Sequence, residues 1–204
     1  MEQILYPELR RAAFAAFGAL AAAHADERFY CVALFTSGSY RYVYPTAATL
    51  EGVKSVARRY LEKPTYRALW GTQDVAMREL KWSLPDSPYH EDDAYDDQFD
   101  AVETIIMSLW QSIDENDDTQ YSGVCKTVHR ACYAVLTALR DSGLFDKEKV
   151  LFLLAMGDQG DEDRLASAEA LNSPDLVKQF RSELIIDEIR LEAARQRLSD
   201  WCRL

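Results

Sequence analysis

The sequence predicts an α+β protein, a mainly antiparallel sheet of about four strands packed against several helices. Three observations carry this. An unbroken apolar run, Val150 to Met156, has strand length and turn residues on both sides. The stretch Arg28–Tyr44 reads as two strands about the turn Ser37-Gly38-Ser39. Phe99, Val102, Ile106, Leu109 and Ile113 step by three and four, as a helix stripe facing a core does.

In chain order, Leu5, Leu9, Ala13, Ala16 and Leu20 give a first amphipathic helix. Arg10-Arg11 followed by AAFAAFGALAAA imitates a signal peptide, but Glu2 and Glu8 remove the positive leading charge that one needs, so a cytoplasmic protein is expected. Arg28–Thr36 is a buried strand, and Tyr40–Tyr44 alternates as its hairpin mate, with Tyr40, Tyr42 and Tyr44 on one face. Thr49 caps a helix running to about Lys63, before Pro64. Residues 65–78 are ambiguous. Glu79–Leu84 alternates Leu80, Trp82 and Leu84 as a third strand. Two helix stripes follow, the one from Phe99 and another through Val124, Val128, Cys132, Val135 and Leu139. Val150–Met156, apolar throughout, is expected in the centre of the sheet between two layers. An acidic loop and an Ala-rich helix come next, Ser173-Pro174 starts a further helix, and a last helix carries Leu191, Ala194, Leu198 and Trp201 on one side. One domain over residues 1–204 is expected, with 184–204 as a helical extension.

A net charge of −11 weighs against nucleic-acid binding, which needs clustered Lys and Arg, and permits steering toward a basic partner. No apolar run approaches the length of a membrane span. Cys31, Cys125, Cys132 and Cys202 form no CxxC pair and read as buried thiols in a reducing compartment.

Neither a phosphate-binding loop nor a nucleophile elbow is present, and His24, His90 and His129 have no zinc spacing. Asp114-x-Asn116-x-Asp118 starts like an EF-hand, but Thr119 replaces the required Gly and Cys125 the bidentate Glu. No catalytic group, metal ligand or cofactor is therefore assigned. Two acidic stretches remain. Glu91, Asp92, Asp93, Asp96 and Asp97 read as a solvated loop before a helix or as a contact surface for a basic partner. Asp158, Asp161, Glu162 and Asp163 read as an acidic contact loop, with Asp161 as a helix cap or, alternatively, Asp158, Asp161 and Asp163 as a divalent-metal site in a small enzyme.

The segments FYCVALFTSG, LKWSLPDSPYH and GLF…KVLFLLAMGDQGDEDRLASAEALNS resemble a bacterial family known as domain of unknown function 4303, over about Leu5–Phe180. Its typical positions fall here on Trp82, Tyr89, Asp158, Leu171 and Asn172, with Trp82, Leu171 and Asn172 structural first. Members occur near polymorphic toxin genes. The resemblance implies an immunity protein that neutralises a secreted toxin by binding it; occlusion of the toxin's active site is the expected mechanism, with the nine acids of the two loops as the expected contacts. An adaptor using the Tyr40, Tyr42 and Tyr44 face is a further reading, which burial of those rings would sink.

Overall fold

A computed structural model describes residues 2–90, 95, 97–157 and 159–202. Its sheet has the order β3-β2-β1-β4, formed by β1 (Phe29–Thr36), β2 (Val43–Thr49), β3 (Tyr89–His90) and β4 (Leu151–Met156). β2 runs antiparallel to both β1 and β3, whereas β4 is parallel to β1, so the sheet is mixed.

The period of two along β1 and β4 sorts their side chains into two layers. Val32, Leu34, Phe152 and Leu154 face α1 (Glu2–Ala23), α5 (Asp100–Gln111) and α6 (Asp118–Asp141) in one apolar cluster. Cys31, Ala33, Phe35, Leu151, Leu153 and Ala155 face the other way, against α7 (Asp161–Leu171), α8 (Pro174–Arg181) and α9 (Glu188–Cys202). The stripes read in α1, α5, α6 and α9 are the faces that pack: Leu5, Leu9, Ile106, Val135 and Leu191 are fully buried. Cys31, Cys125 and Cys132 are buried free thiols, and burial pushes the Cys125 thiol up to about 11.

A third cluster lies beside the sheet. Val53, Val56 and Ala57 of α2 (Leu50–Leu61) meet Ala76 and Leu80 of α4 (Gln73–Leu80), with α3 (Pro64–Trp70) between them in sequence. Thr49 caps α2 as expected, its Oγ1 accepting from Gly52 N at 2.9 Å and donating to Glu27 Oε2 at 2.5 Å. Replacing Thr49 by Ala removes both bonds at a buried site and is expected to cost about 1.5 kcal/mol in a thermal or denaturant melt. An unchanged midpoint would mean that water takes over the cap.

Three expectations are corrected. Glu79–Leu84 is not a strand: α4 ends at Leu80 and a 3₁₀ turn occupies Leu84–Asp86. Leu80 and Leu84 are both buried, but a helix end and a turn bury them. The tyrosine alternation is not a strand face either. Tyr40 adopts a left-handed φ of 55° and is fully buried, while Tyr42 and Tyr44 stack half-buried with centroids 4.9 Å apart. With Tyr40 buried and the other two half-buried, the three rings do not form one exposed face.

The third correction concerns β4. It is buried on both faces, as its apolar run demands, yet it is an edge strand rather than a central one. Phe152, Leu154 and Met156 turn their N–H groups away from β1, and three side chains receive them. Asn172 Oδ1 accepts from Phe152 N at 2.8 Å, Ser167 Oγ from Leu154 N at 3.0 Å, and Gln159 Oε1 from Met156 N at 3.2 Å. Asn172 Nδ2 donates back to Phe152 O at 2.8 Å and to Ala168 O at 2.9 Å, and Gln159 Nε2 donates to Leu154 O. Side chains thus replace a fifth strand, which meets the demand that buried backbone groups be paired.

Candidate functional site

The expected contact acids fall into two groups. Of the first, Glu91, Asp92, Asp93 and Asp96 lie outside the described residues. Asp97 is exposed at the start of a 3₁₀ turn, Asp97–Phe99, which is anchored by the buried Phe99. The chain then enters α5, whose first turn carries Asp100 and Glu103, both exposed. Carboxylates there complement the positive end of the helix. Past the other end of α5, Asp114, Glu115 and Asp118 are exposed as well.

Between Lys81 and Lys126 the chain contains twelve Asp and Glu and no Lys or Arg. That single stretch exceeds the whole net charge of −11. From elsewhere in the chain, Arg41 pairs with Glu115 while its guanidinium lies 4.1 Å from the Trp110 ring centroid. That pairing holds the Glu115 carboxyl below its ordinary range. Arg11 reaches Gln98 O at 3.4 Å but pairs with its own helix neighbour Glu8.

The second group is differently placed. Asp158 lies outside the described residues. Asp161, Glu162 and Asp163 form the first turn of α7. Asp161 is not the cap: Gly160 holds that position, without a side-chain bond. Instead, Asp161 binds Arg164 Nη2 at 2.6 Å and accepts from Ile185 N at 3.1 Å. Glu162 accepts from Asp187 N at 3.0 Å, a bond that holds its carboxyl below the usual range. Asp163 binds Arg197 Nη2 at 2.6 Å. All three carboxylates therefore fasten the segment after α8 to the body of the protein. They also diverge. Asp161 lines a depression of about 450 Å³ with Trp82 and Arg164, while Asp163 lines a separate cavity between α6, α7 and α9. Among the described residues, no group of three or more His, Cys, Asp or Glu is arranged to hold a metal ion.

The positions singled out by the family resemblance hold the fold together. Trp82 packs edge-on against Phe180 and donates its Nε1–H to Glu183 at 3.0 Å. Tyr89 is buried and donates to Glu27 Oε2 at 2.7 Å. Leu171 is fully buried, and Asn172 closes the edge of β4.

His129 is the centre of an aromatic cluster. Its Nδ1 lies 2.7 Å from the Tyr40 hydroxyl, and the rings of Tyr40, Tyr133 and Trp201 surround it at 5.6, 4.6 and 5.2 Å between centroids. Burial, reinforced by the charge of Arg130, lowers its pKa to about 4, so the imidazole is neutral near pH 7. No local sequence signal marks this cluster, because its members come from positions 40, 129, 133 and 201.

The site and fold define a non-repetitive α+β domain with its acids concentrated in one stretch of the chain and no described helix long and apolar enough to cross a membrane. A family profile described as "Domain of unknown function (DUF4303)" matches residues 9–173, about four-fifths of the chain, and the chain belongs to that family. Comparison with curated proteins and with solved structures gave no match.

Proposed function

We propose that this protein is an immunity-type inhibitor that binds a cognate bacterial toxin in the cytoplasm and covers its active site. The observation that supports this reading is the segregation of charge: an unbroken acidic stretch on both sides of α5, with exposed carboxylates at Asp97, Asp100 and Glu103. A surface of one sign accelerates encounter with a partner of the other, and a toxin acting on nucleic acid presents a basic cleft. The segment Glu91–Asp97 and the start of α5 make the contact. Asp161, Glu162 and Asp163, each bonded within the chain, keep the fold rather than meet the partner.

The test is co-purification from the native host with mass identification of what accompanies the tagged protein. A stoichiometric partner that kills cells when expressed alone, and is silenced by this protein, is expected; no such partner when neighbouring genes are expressed would overturn the proposal. With the partner in hand, the triple variant D97N/D100N/E103Q is expected to slow association roughly tenfold at low salt and to flatten its dependence on ionic strength. Unchanged association kinetics would remove this face from the interface.

A further inference from the structure

The cavity between α6, α7 and α9 is lined by none of the acids around α5 and has the features of a ligand site. It lies at the C-terminal end of β4, beside Met156, with Gly38 from the loop that follows β1 on its rim. The ends of parallel strands are where α/β sheets commonly hold small molecules. Its volume is about 250 Å³, slightly below the range typical of drug-sized ligands.

The walls define what would fit. Tyr133 and Trp201 are half-buried aromatic residues of the lining, which also includes His129 and Tyr40. Leu198 and Ala194 continue the apolar lining from α9. Two ionised side chains border the space, Asp163 and Arg197, and they are bonded to each other at 2.6 Å. A charged ligand would lose its hydration without meeting an unmatched counter-charge, which is costly. A flat ring gains by stacking and by excluding water from these aromatic walls. For polar recognition, Ser167 Oγ accepts from Leu154 N and keeps a hydrogen of its own to donate.

We propose that this cavity binds a small, uncharged, flat aromatic or heteroaromatic molecule of one or two rings. Ala194, Arg197, Leu198 and Trp201 all lie beyond residues 9–173, so the closing wall is supplied by the part of the chain outside the family match. None of the acids around α5 lines the site, and it stands whether or not a toxin is the partner.

Calorimetric and NMR titrations of the full chain with indole and with quinoline test this, using tryptamine and indole-3-carboxylate as charged counterparts. At least one neutral probe is expected to saturate near or below about 1 mM, with the charged analogues at least tenfold weaker. Two variants report on the location. Gly38→Trp places a ring at the rim, where an added Cβ meets nothing within 4 Å and the backbone is not left-handed. Trp201→Ala removes one wall, a ring that packs on Tyr40 and His129. Each is expected to weaken probe binding at least tenfold, with the unfolding midpoint confirming that it is folded. Failure of both neutral probes to saturate, equal binding of the charged analogues, or wild-type affinity in both variants would overturn the proposal.

Discussion

Asn172→Ala is expected to lower the stability of this protein by about 3 kcal/mol, roughly a hundredfold in the unfolding constant. One amide satisfies the N–H and the C=O of Phe152 and also binds Ala168 O. Its removal strands two main-chain groups of a strand buried on both faces, and each such group costs about 1–3 kcal/mol when unpaired. The damage should be graded. Ser167→Ala deletes a single acceptor and should cost about half as much, whereas Asn172→Asp keeps the acceptor but turns a carboxylate oxygen toward Phe152 O and Ala168 O and should cost at least as much as Asn172→Ala. Denaturant melts of the three variants give the ranking. If Asn172→Ala lies within about 0.5 kcal/mol of the parent, water reaches this edge and the side chains are dispensable.

The second large effect is on acid stability. In the folded protein the His129 pKa is lowered to about 4, against an ordinary value near 6.5, chiefly by burial. The unfolded chain therefore takes up a proton at a pH where the folded one refuses it. Stability from this group is complete above pH 6.5, falls as the pH drops toward 4, and is level below that. The difference amounts to about 3 kcal/mol. Protonation also disturbs the contact with Tyr40: if the neutral ring carries its proton on Nε2, the hydroxyl donates to Nδ1, and it must turn to accept once Nδ1 is protonated. His129→Gln should flatten the stability profile between pH 6.5 and 4, whatever its stability at neutral pH. Carboxylates with lowered pKa, such as Glu51 and Glu162, titrate in both proteins and cancel in the comparison. Parallel profiles for the two proteins would show that His129 is not the acid-sensitive group.

Periodicity made the helical layers and β1 and β4 legible in the sequence. The apolar stripes of α1, α5, α6 and α9 and the run Val150–Met156 each state which faces are buried, and burial is a local property of a pattern. The errors arose where a pattern had two causes. Leu80, Trp82 and Leu84 alternate because a helix end and a 3₁₀ turn happen to aim two of them inward. An all-apolar strand signals cover on both faces but says nothing about its hydrogen-bonded edges, so β4 read as central. The role of Asp161, Glu162 and Asp163 was hidden for another reason: their partners at Ile185, Asp187 and Arg197 lie 24 to 34 residues away. An acid with a distant partner looks in sequence like an acid with none. The acidic stretch around α5 was half legible, since the run before Phe99 is dense, while its continuation into the helix shows only once exposure is known.

The closure of β4 also bears on how this protein meets other chains. An open strand edge recruits foreign strands, and inhibitors or fibrils grow by that route. Here Gln159, Ser167 and Asn172 occupy the positions that an incoming backbone would need. The sheet is thus sealed against templated extension along β4, and a partner arriving there must dock onto side chains rather than lengthen the sheet.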